Sequence, residues 1–372
     1  MSLKAIKRLI ERLDSEINEQ NLGVPFFSSD DYAARSLDCK YFHPIVDAKS
    51  SGKISFIDGG NLEILGAPNF SIQVNRIYFN IFKDNERIHP ETLPPKIEFF
   101  SVTFATFKEQ DIHFDTSIFP VKDDFTRYLP DESYLSFSSW DRSVMNGNMR
   151  AGISRVASVA RRFSEWEYAK WIIDSELDSS DVIVADGTLQ TALTNEYKIM
   201  ENAYRIAKKK GVIFTGLSKT SQLFTSNGLS LMGALQKFAD DCQVTYKTWY
   251  YPVASVSNPD HEASIFVTKL NPQAKRVFRY EINQSQADML DESALNGIFA
   301  KLAANSGDIS FPGYPYGLIN ADYEARVRHD ELEAFRVRFF SEIAKEEGRW
   351  EKFARHVSAV DAHGVLDSLA RR

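Results

Sequence analysis

The chain has 372 residues, enough for one large domain or two small ones, and its apolar and charged shares of 43% and 26% are those of an ordinary globular protein. A net charge of −7 argues against broad electrostatic adhesion to nucleic acid, but not against a nuclease, whose metal site is itself acidic. No apolar run approaches the roughly 20 residues that cross a bilayer, the N-terminus has no apolar leader core, and Cys39 and Cys242 stand in no metal-type spacing, so the expectation is a cytoplasmic protein with two buried thiols and no membrane contact.

Leu3, Ile6, Leu9, Ile10, Leu13 and Ile17 recur at helical spacing opposite a face of Lys, Arg and Glu. This predicts an amphipathic helix that caps the domain or docks on a partner. Residues 26–46 read as loop. Lys53-Ile54-Ser55-Phe56-Ile57-Asp58 is then a short apolar run stopped by Gly59 and Gly60, a buried strand with Asp58 at its end. From Phe70 onward apolar and polar residues alternate, which predicts a half-buried antiparallel strand. Segments 97–107 and 112–119 continue the meander, and 125–148 has no clear period. Helical spacing returns over 149–177. Val182-Ile183-Val184-Ala185 is a second buried strand, ending at Asp186. A helix over 194–210, stopped by Gly211, leads to a third, Val212-Ile213-Phe214. Strand, helix and strand with short joints predict a βαβ unit and parallel pairing. Segments 228–240, 288–304 and 318–347 read as helices, 244–250, 263–270 and 276–282 as strands, and the tail to Arg372 as a last helical stretch. Basic clusters at 208–210 and 326–338 read as solvated helix faces. The organisation expected is an N-terminal helix within 1–25, one domain over 26–350 and a helical tail over 351–372.

Two aspartates at the ends of buried strands suggest metal chemistry. Phosphodiester hydrolysis needs an activated water and a neutralised leaving oxygen, which two divalent ions supply from carboxylate ligands. A hairpin turn at Asp58 or a helix cap at Asp186 explains either residue alone, but less readily both. On the helix over 149–177, Glu167 falls in the apolar stripe between Phe163 and Trp171, while Glu165 points to the polar face, so Glu167 is the third candidate ligand. Asp322, in a stripe with Leu318, Ala325, His329 and Leu332, is the fourth. Tyr314 is placed to aim its hydroxyl at a phosphate or a metal-bound water. Lys219, after the third strand, is placed to neutralise a backbone phosphate. The histidines do not cluster and are read as structural.

Five pieces in this order carry a resemblance: Phe56-Ile57-Asp58-Gly59, the helix around Glu167, Val184-Ala185-Asp186-Gly187-Thr188-Leu189, Gly216-Leu217-Ser218-Lys219, and Tyr314-Pro315-Tyr316-Gly317-Leu318-Ile319-Asn320-Ala321-Asp322. Together they resemble the NurA-type nucleases, partners of the HerA ring translocase in DNA end processing. The resemblance implies an α/β fold of RNase H-like type, an antiparallel meander followed by parallel strands with helices on both faces. It implies cutting of DNA with Mn2+, or Mg2+ in its place, with Asp58, Glu167 and Asp186 as ligands and Tyr314 and Asp322 at the late site positions, where some relatives carry His at the latter. A homodimer seated on a HerA-type hexameric ATPase is implied too, in repair or in defence against foreign DNA. Two other readings are weaker. An actin- or sugar-kinase-like ATP-binding protein needs later glycine-rich phosphate loops that the sequence lacks. A non-catalytic adaptor of a translocase has no need of these carboxylates.

Overall fold

Apolar side chains stand on both faces of most strands, so the sheet they build has to be covered twice. The computed structural model describes residues 3–17, 19–46, 52–108, 110–349 and 351–357. Helix α1 (Leu3–Glu16) and the short strands β1 (Pro25–Phe26), β2 (Tyr32–Ala34) and β3 (His43–Pro44) lead into a meander. It comprises β4 (Lys53–Ala67), β5 (Phe70–Lys83), β6 (Glu86–Ile88), β7 (Lys96–Lys108), β8 (Asp111–Pro120) and β9 (Ser136–Ser138). Helices α2 (Ile153–Ala157) and α3 (Val159–Glu176) precede β10 (Val182–Asp186), α4 (Glu196–Lys210) and β11 (Ile213–Ser218). Then come β12 (Phe224–Thr225), α5 (Leu231–Asp241), β13 (Trp249–Asn258), β14 (His261–Lys269) and β15 (Phe278–Asn283). Helices α6 (Gln284–Ala287), α7 (Glu292–Ala304), α8 (Tyr316–Ala325) and α9 (His329–Ile343) follow.

Among the described residues, 13 strands form one sheet in the order β2-β13-β14-β15-β11-β10-β4-β5-β7-β8-β9, with β3 on β13 and β6 on β5. β10 lies parallel to both β4 and β11, while β4 and β5, β5 and β7, and β11 and β15 pair antiparallel. This is a mixed α/β fold, with the βαβ unit β10–α4–β11 at the centre of the sheet. Successive side chains of a strand point to opposite faces. Ile57, Ile183 and Phe214 join the cluster that α3, α4 and α5 cover, and Phe56, Val184 and Leu217 join the one under α7 and α8. No helix among the described residues is long and apolar enough to cross a membrane.

Several expectations are corrected. Gly59 and Gly60 do not stop the strand, because β5 pairs with β4 through to Ala67 and the ladder overrides the weak strand preference of glycine. β5 is covered on both faces rather than half-buried: Ser71, Gln73 and Asn75 are all buried, and they hydrogen-bond to Glu63, Asn61 and Ser101. The strand expected over 244–250 begins only at Trp249 and runs to Asn258. The long helix expected over 318–347 breaks at Arg326-Val327-Arg328 into α8 and α9. Buried Arg76, held by Glu98 at 2.6 and 2.8 Å, donates from Nη1 to the Arg326 carbonyl at 3.0 Å and fixes that break. Cys39 and Cys242 are not two buried thiols. They form a disulfide across 203 residues, with Cys39 exposed, because β2 and β3 pair with β13 and fold the N-terminal segment over the C-terminal half. Helix α1 buries none of its residues, and Phe353 packs beside Phe70. The helical stretch expected beyond residue 357 lies outside the described residues.

Helix α8 reaches the sheet through two glycines. A Cβ on Gly317 would enter the Phe56 ring, and one on Gly60 would meet the Ala325 carbonyl. Asn80 Nδ2 donates to the Gly317 carbonyl at 2.8 Å and to Asn320 Oδ1 at 3.0 Å. Gly317→Ala should therefore lower stability by about 1–3 kcal/mol through overpacking. Gly297→Ala, whose new methyl meets no atom within 4 Å in the middle of α7, should be neutral or stabilising. Urea unfolding midpoints decide it, and equal midpoints for the two variants would show that the close approach of α8 is not required.

Candidate metal centre

Strand parity brings the first two aspartates together. Asp58 shares a face with Phe56, and Asp186 shares one with Val184, on the side that α8 covers. The last register pair between the two parallel strands is Ala185 with Ile57, so the next residue of each is an aspartate. Leu217 is the partner of Asp186 on β11, and Lys219 follows two residues later with the same parity. Helix α8, seated by Gly317 and Gly60, lays Asp322 over them.

The result is three carboxylates, Asp58, Asp186 and Asp322, each offering an oxygen within 4.8 Å of the others. Lys219 Nζ stands among them, 2.8 Å from Asp186 Oδ2, 2.8 Å from Asp322 Oδ1 and 3.8 Å from Asp58 Oδ2. Arg326 Nη2 donates to Asp322 Oδ2 at 2.6 Å, and the Tyr314 hydroxyl donates to Asp186 Oδ1 at 3.2 Å. Burial, then the charges of Asp186 and Glu165, push the Asp58 carboxyl up to about 8, against the opposing pull of Lys219. Burial also works to raise Asp322, but the Lys219 and Arg326 charges outweigh it and hold that carboxyl below its usual range. Lys219 loses something to burial, yet Asp186 and Asp322 keep its ammonium protonated well above the ordinary lysine value. Burial and the Asp186 charge keep the Tyr314 phenol protonated, so it serves as a donor to Asp186.

This donor set fits a hard divalent cation. All three groups are carboxylates, on a strand, a strand end and a helix, and one carboxyl is driven toward its neutral form first by burial and then by the negative charge around it. A Mg2+ or Mn2+ ion would relieve that charge through oxygen ligands.

Of the other predicted site residues, Lys219 and Tyr314 reach the cluster and Glu167 does not. Glu167 pairs with Lys170 one turn along α3. The helical carboxylate beside the site is Glu165, buried at 7% exposure, whose charge acts on Asp58. It approaches where β4 has no side chain, since a Cβ at Gly59 would run into the Glu165 carboxylate. Arg161 pairs with Glu165 and also donates to the Gly59 carbonyl at 3.2 Å, and Arg162 lies 3.5 Å from Glu165 Oε2. The stripe reading failed because α3 is buried on nearly every side, including Val159, Ser164, Tyr168, Ile172 and Glu176. Such a helix has no single apolar face to orient it. Two signals were available: the glycine after Asp58, and the arginines three and four residues before Glu165. Arg326, four residues after Asp322, was missed as well.

The family profile described as the NurA domain matches residues 52–327. No curated protein matches the chain. Among solved structures, endonuclease V of Ciona intestinalis, in complex with a 24mer DNA containing an inosine followed by a ribo-adenosine, is similar at a TM-score of 0.37 and 8% identity, over 88% of this chain and 99% of that chain. Argonaute of Aquifex aeolicus is similar at a TM-score of 0.28 and 9% identity, over 76% of this chain and 28% of that chain.

Proposed function

The chain belongs to the NurA domain family, and from that premise we propose that it is a metal-dependent DNA nuclease of RNase H-like type that hydrolyses phosphodiester bonds at the cluster of Asp58, Asp186 and Asp322. The observation that carries this reading is the meeting of three carboxylates within 4.8 Å at the carboxyl end of β10. Mn2+ is the proposed cofactor, with Mg2+ in its place. When bound, such ions would supply an activated water and neutralise the charge on the leaving oxygen.

The chain's own residues divide the remaining work. Asp58, Asp186 and Asp322 would hold the metal, and Glu165 rather than Glu167 would complete the set from α3. Tyr314 fixes the orientation of Asp186 by donating to one of its oxygens, as outer partners of metal ligands do. Lys219 balances the three carboxylates in the metal-free site; once cations take that part, its ammonium is free to hold a phosphate oxygen. Arg326 steadies Asp322.

Residues 26–350 form the nuclease domain in this reading. The protein is a homodimer working on a HerA-type hexameric ATPase, in the cytoplasm, in DNA end processing or in defence against foreign DNA. The segment 1–25 is proposed as a contact with the ATPase, since α1 leaves Leu3, Leu9, Ile10 and Leu13 exposed.

Removal of metal is the test. With Mn2+ present, the wild-type protein should cut linear DNA and melt at a higher temperature, by about 2.7 kcal/mol of added stability at a hundredfold excess over Kd. EDTA should abolish both effects. Stabilisation by Mn2+ with no cleavage of any DNA form would favour the adaptor reading, and no response to metal at all would sink both.

A further inference from the structure

Around the same edge of the sheet lies a second hollow. Phe26, Phe27, Tyr32, Gln190, Gln222 and Arg279 line a cavity of about 360 Å³. Gln190 follows Asp186 by four residues, and Gln222 follows Lys219 by three. Leu217 is the register partner of Asp186, and its neighbour Ser218 is that of Arg279. Arg279 is therefore two strand spacings, roughly 10 Å, from Asp186 at the backbone, but its side chain leaves the opposite face of the sheet, beside Val267, so the two sites meet only around the end of these strands. Ligands of open sheets settle at such carboxyl ends of parallel strands.

The lining is suited to a flat, uncharged, aromatic guest. The Phe27 and Tyr32 rings stack with centroids 4.6 Å apart and planes 9° from parallel. Phe26 is 56% exposed and is paired with Phe224 across the β1–β12 ladder. Exposed aromatic rings next to a backbone-binding site are the usual stacking platforms for unpaired bases. Arg279 is 8% exposed, and its Nη2 pairs with Glu281 Oε1. That leaves its buried Nε with no hydrogen-bond partner among the described residues. A buried donor without a partner costs about 1–3 kcal/mol, so an acceptor arriving there is rewarded. Glu281 neutralises Arg279, and no other Lys or Arg lines the cavity, which disfavours a phosphate as that acceptor. A ring nitrogen or carbonyl oxygen fits better, and the amides of Gln190 and Gln222 offer both a donor and an acceptor to a base edge. One network ties the cavity to the segment that follows Asp186. Glu281 Oε2 accepts from the Leu189 amide at 2.7 Å, on the segment just after Asp186, and lies 3.1 Å from His261 Nε2; His261 Nδ1 is 2.9 Å from the Tyr32 hydroxyl.

Resting on the nuclease reading above, the geometry points to a nucleobase pocket: an unpaired base of the bound DNA strand enters this cavity and stacks on its aromatic rings, with Arg279 Nε and the two glutamines at its edge, while the backbone passes over the end of the strands to the carboxylates on the other face. A paired base cannot enter without leaving its stack, at a cost of a few kcal/mol. The substrate at this site is accordingly a single strand or a frayed end, not an intact duplex.

Single-stranded oligonucleotides carrying 2-aminopurine at successive positions, titrated with the full chain in EDTA, test this without catalysis. The wild type should change the fluorescence at one or two positions and bind single strands more tightly than a blunt duplex. Phe26→Ala and Gln222→Ala, both at exposed positions that leave the fold intact, should lose that signal. Phe26→Ala should also weaken single-strand binding roughly five- to a hundredfold, as loss of one stacked base does, with duplex binding unchanged. Wild-type signal and affinity in both variants would overturn the pocket. If Mn2+-dependent cleavage is intact while these losses are absent, the pocket alone falls. If the losses appear and the wild type cuts no DNA with Mn2+, the nuclease reading falls and the pocket stands.

Discussion

With Asp58 replaced by asparagine, DNA cleavage falls roughly a thousandfold or more, about 4 kcal/mol of transition-state stabilisation, while the metal-free protein becomes more resistant to unfolding at pH 8. Both effects have one origin. Asp58 is held among negative charges so that a cation can be held with it. An unfolded aspartate titrates near 3.9, whereas burial first, and then Asp186 and Glu165, push the folded carboxyl up to about 8. Between those values the folded chain keeps a proton that the unfolded chain releases. The stability this group contributes is thus fully present below about pH 4 and is lost as pH rises through about 8. Asparagine does not titrate, and it keeps an oxygen to accept the Gly59 amide that Asp58 Oδ1 accepts at 2.7 Å. The gap between the urea midpoints of variant and wild type should open from pH 4 to 8 and be widest at the upper end. Mn2+ should narrow it, because metal binding expels the proton and compensates the charge in the wild type alone. Parallel pH profiles without metal would show that the Asp58 charge is not strained, and cleavage at the wild-type rate would remove the residue from the chemistry.

The features of this site that were legible in the sequence are those that strand parity controls. Asp58 lies two residues after Phe56 and Asp186 two after Val184, so once both strands are read as buried neighbours their aspartates share a face. Lys219 follows from the same parity on β11. Asp322 was legible as a member of a helical stripe and Tyr314 from the stiff turn before it, but not where they meet the sheet, because the register of a helix against a sheet depends on contacts such as Gly317 on Phe56 that no periodicity encodes. The break between α8 and α9 was hidden for a related reason: Arg76, some 250 residues upstream, caps the Arg326 carbonyl that ends α8. The disulfide was hidden because Cys39 and Cys242 meet only after β2 and β3 have paired with β13. The side of α3 that meets the site was legible in part, through Gly59. A glycine next to a candidate ligand in a buried strand marks a place where another group must come close, and the group that comes close is Glu165.

That placement separates two glutamates only two residues apart. Glu165→Gln should lower the cleavage rate about a hundredfold or more, some 2.7 kcal/mol, and Glu167→Gln should leave it within about twofold. Glu165 is buried beside Asp58, and a carboxylate so placed is retained at a cost in desolvation unless cations compensate it. In the metal-free protein Arg161 and Arg162 do so. Glutamine keeps the shape of the side chain but gives up the negative charge that a metal would use, and it removes one of the charges that raise Asp58. Glu167 has its compensation in Lys170 and no contact with the cluster of three carboxylates. Exchanging its carboxylate for an amide should cost no more than that pair is worth. Initial rates on linear DNA at saturating Mn2+, with Mn2+ affinity measured on the same proteins, decide between them. A slow Glu167→Gln beside a fast Glu165→Gln would mean that α3 turns its other side to the metal. It would also leave the missing side chain at Gly59 without a purpose.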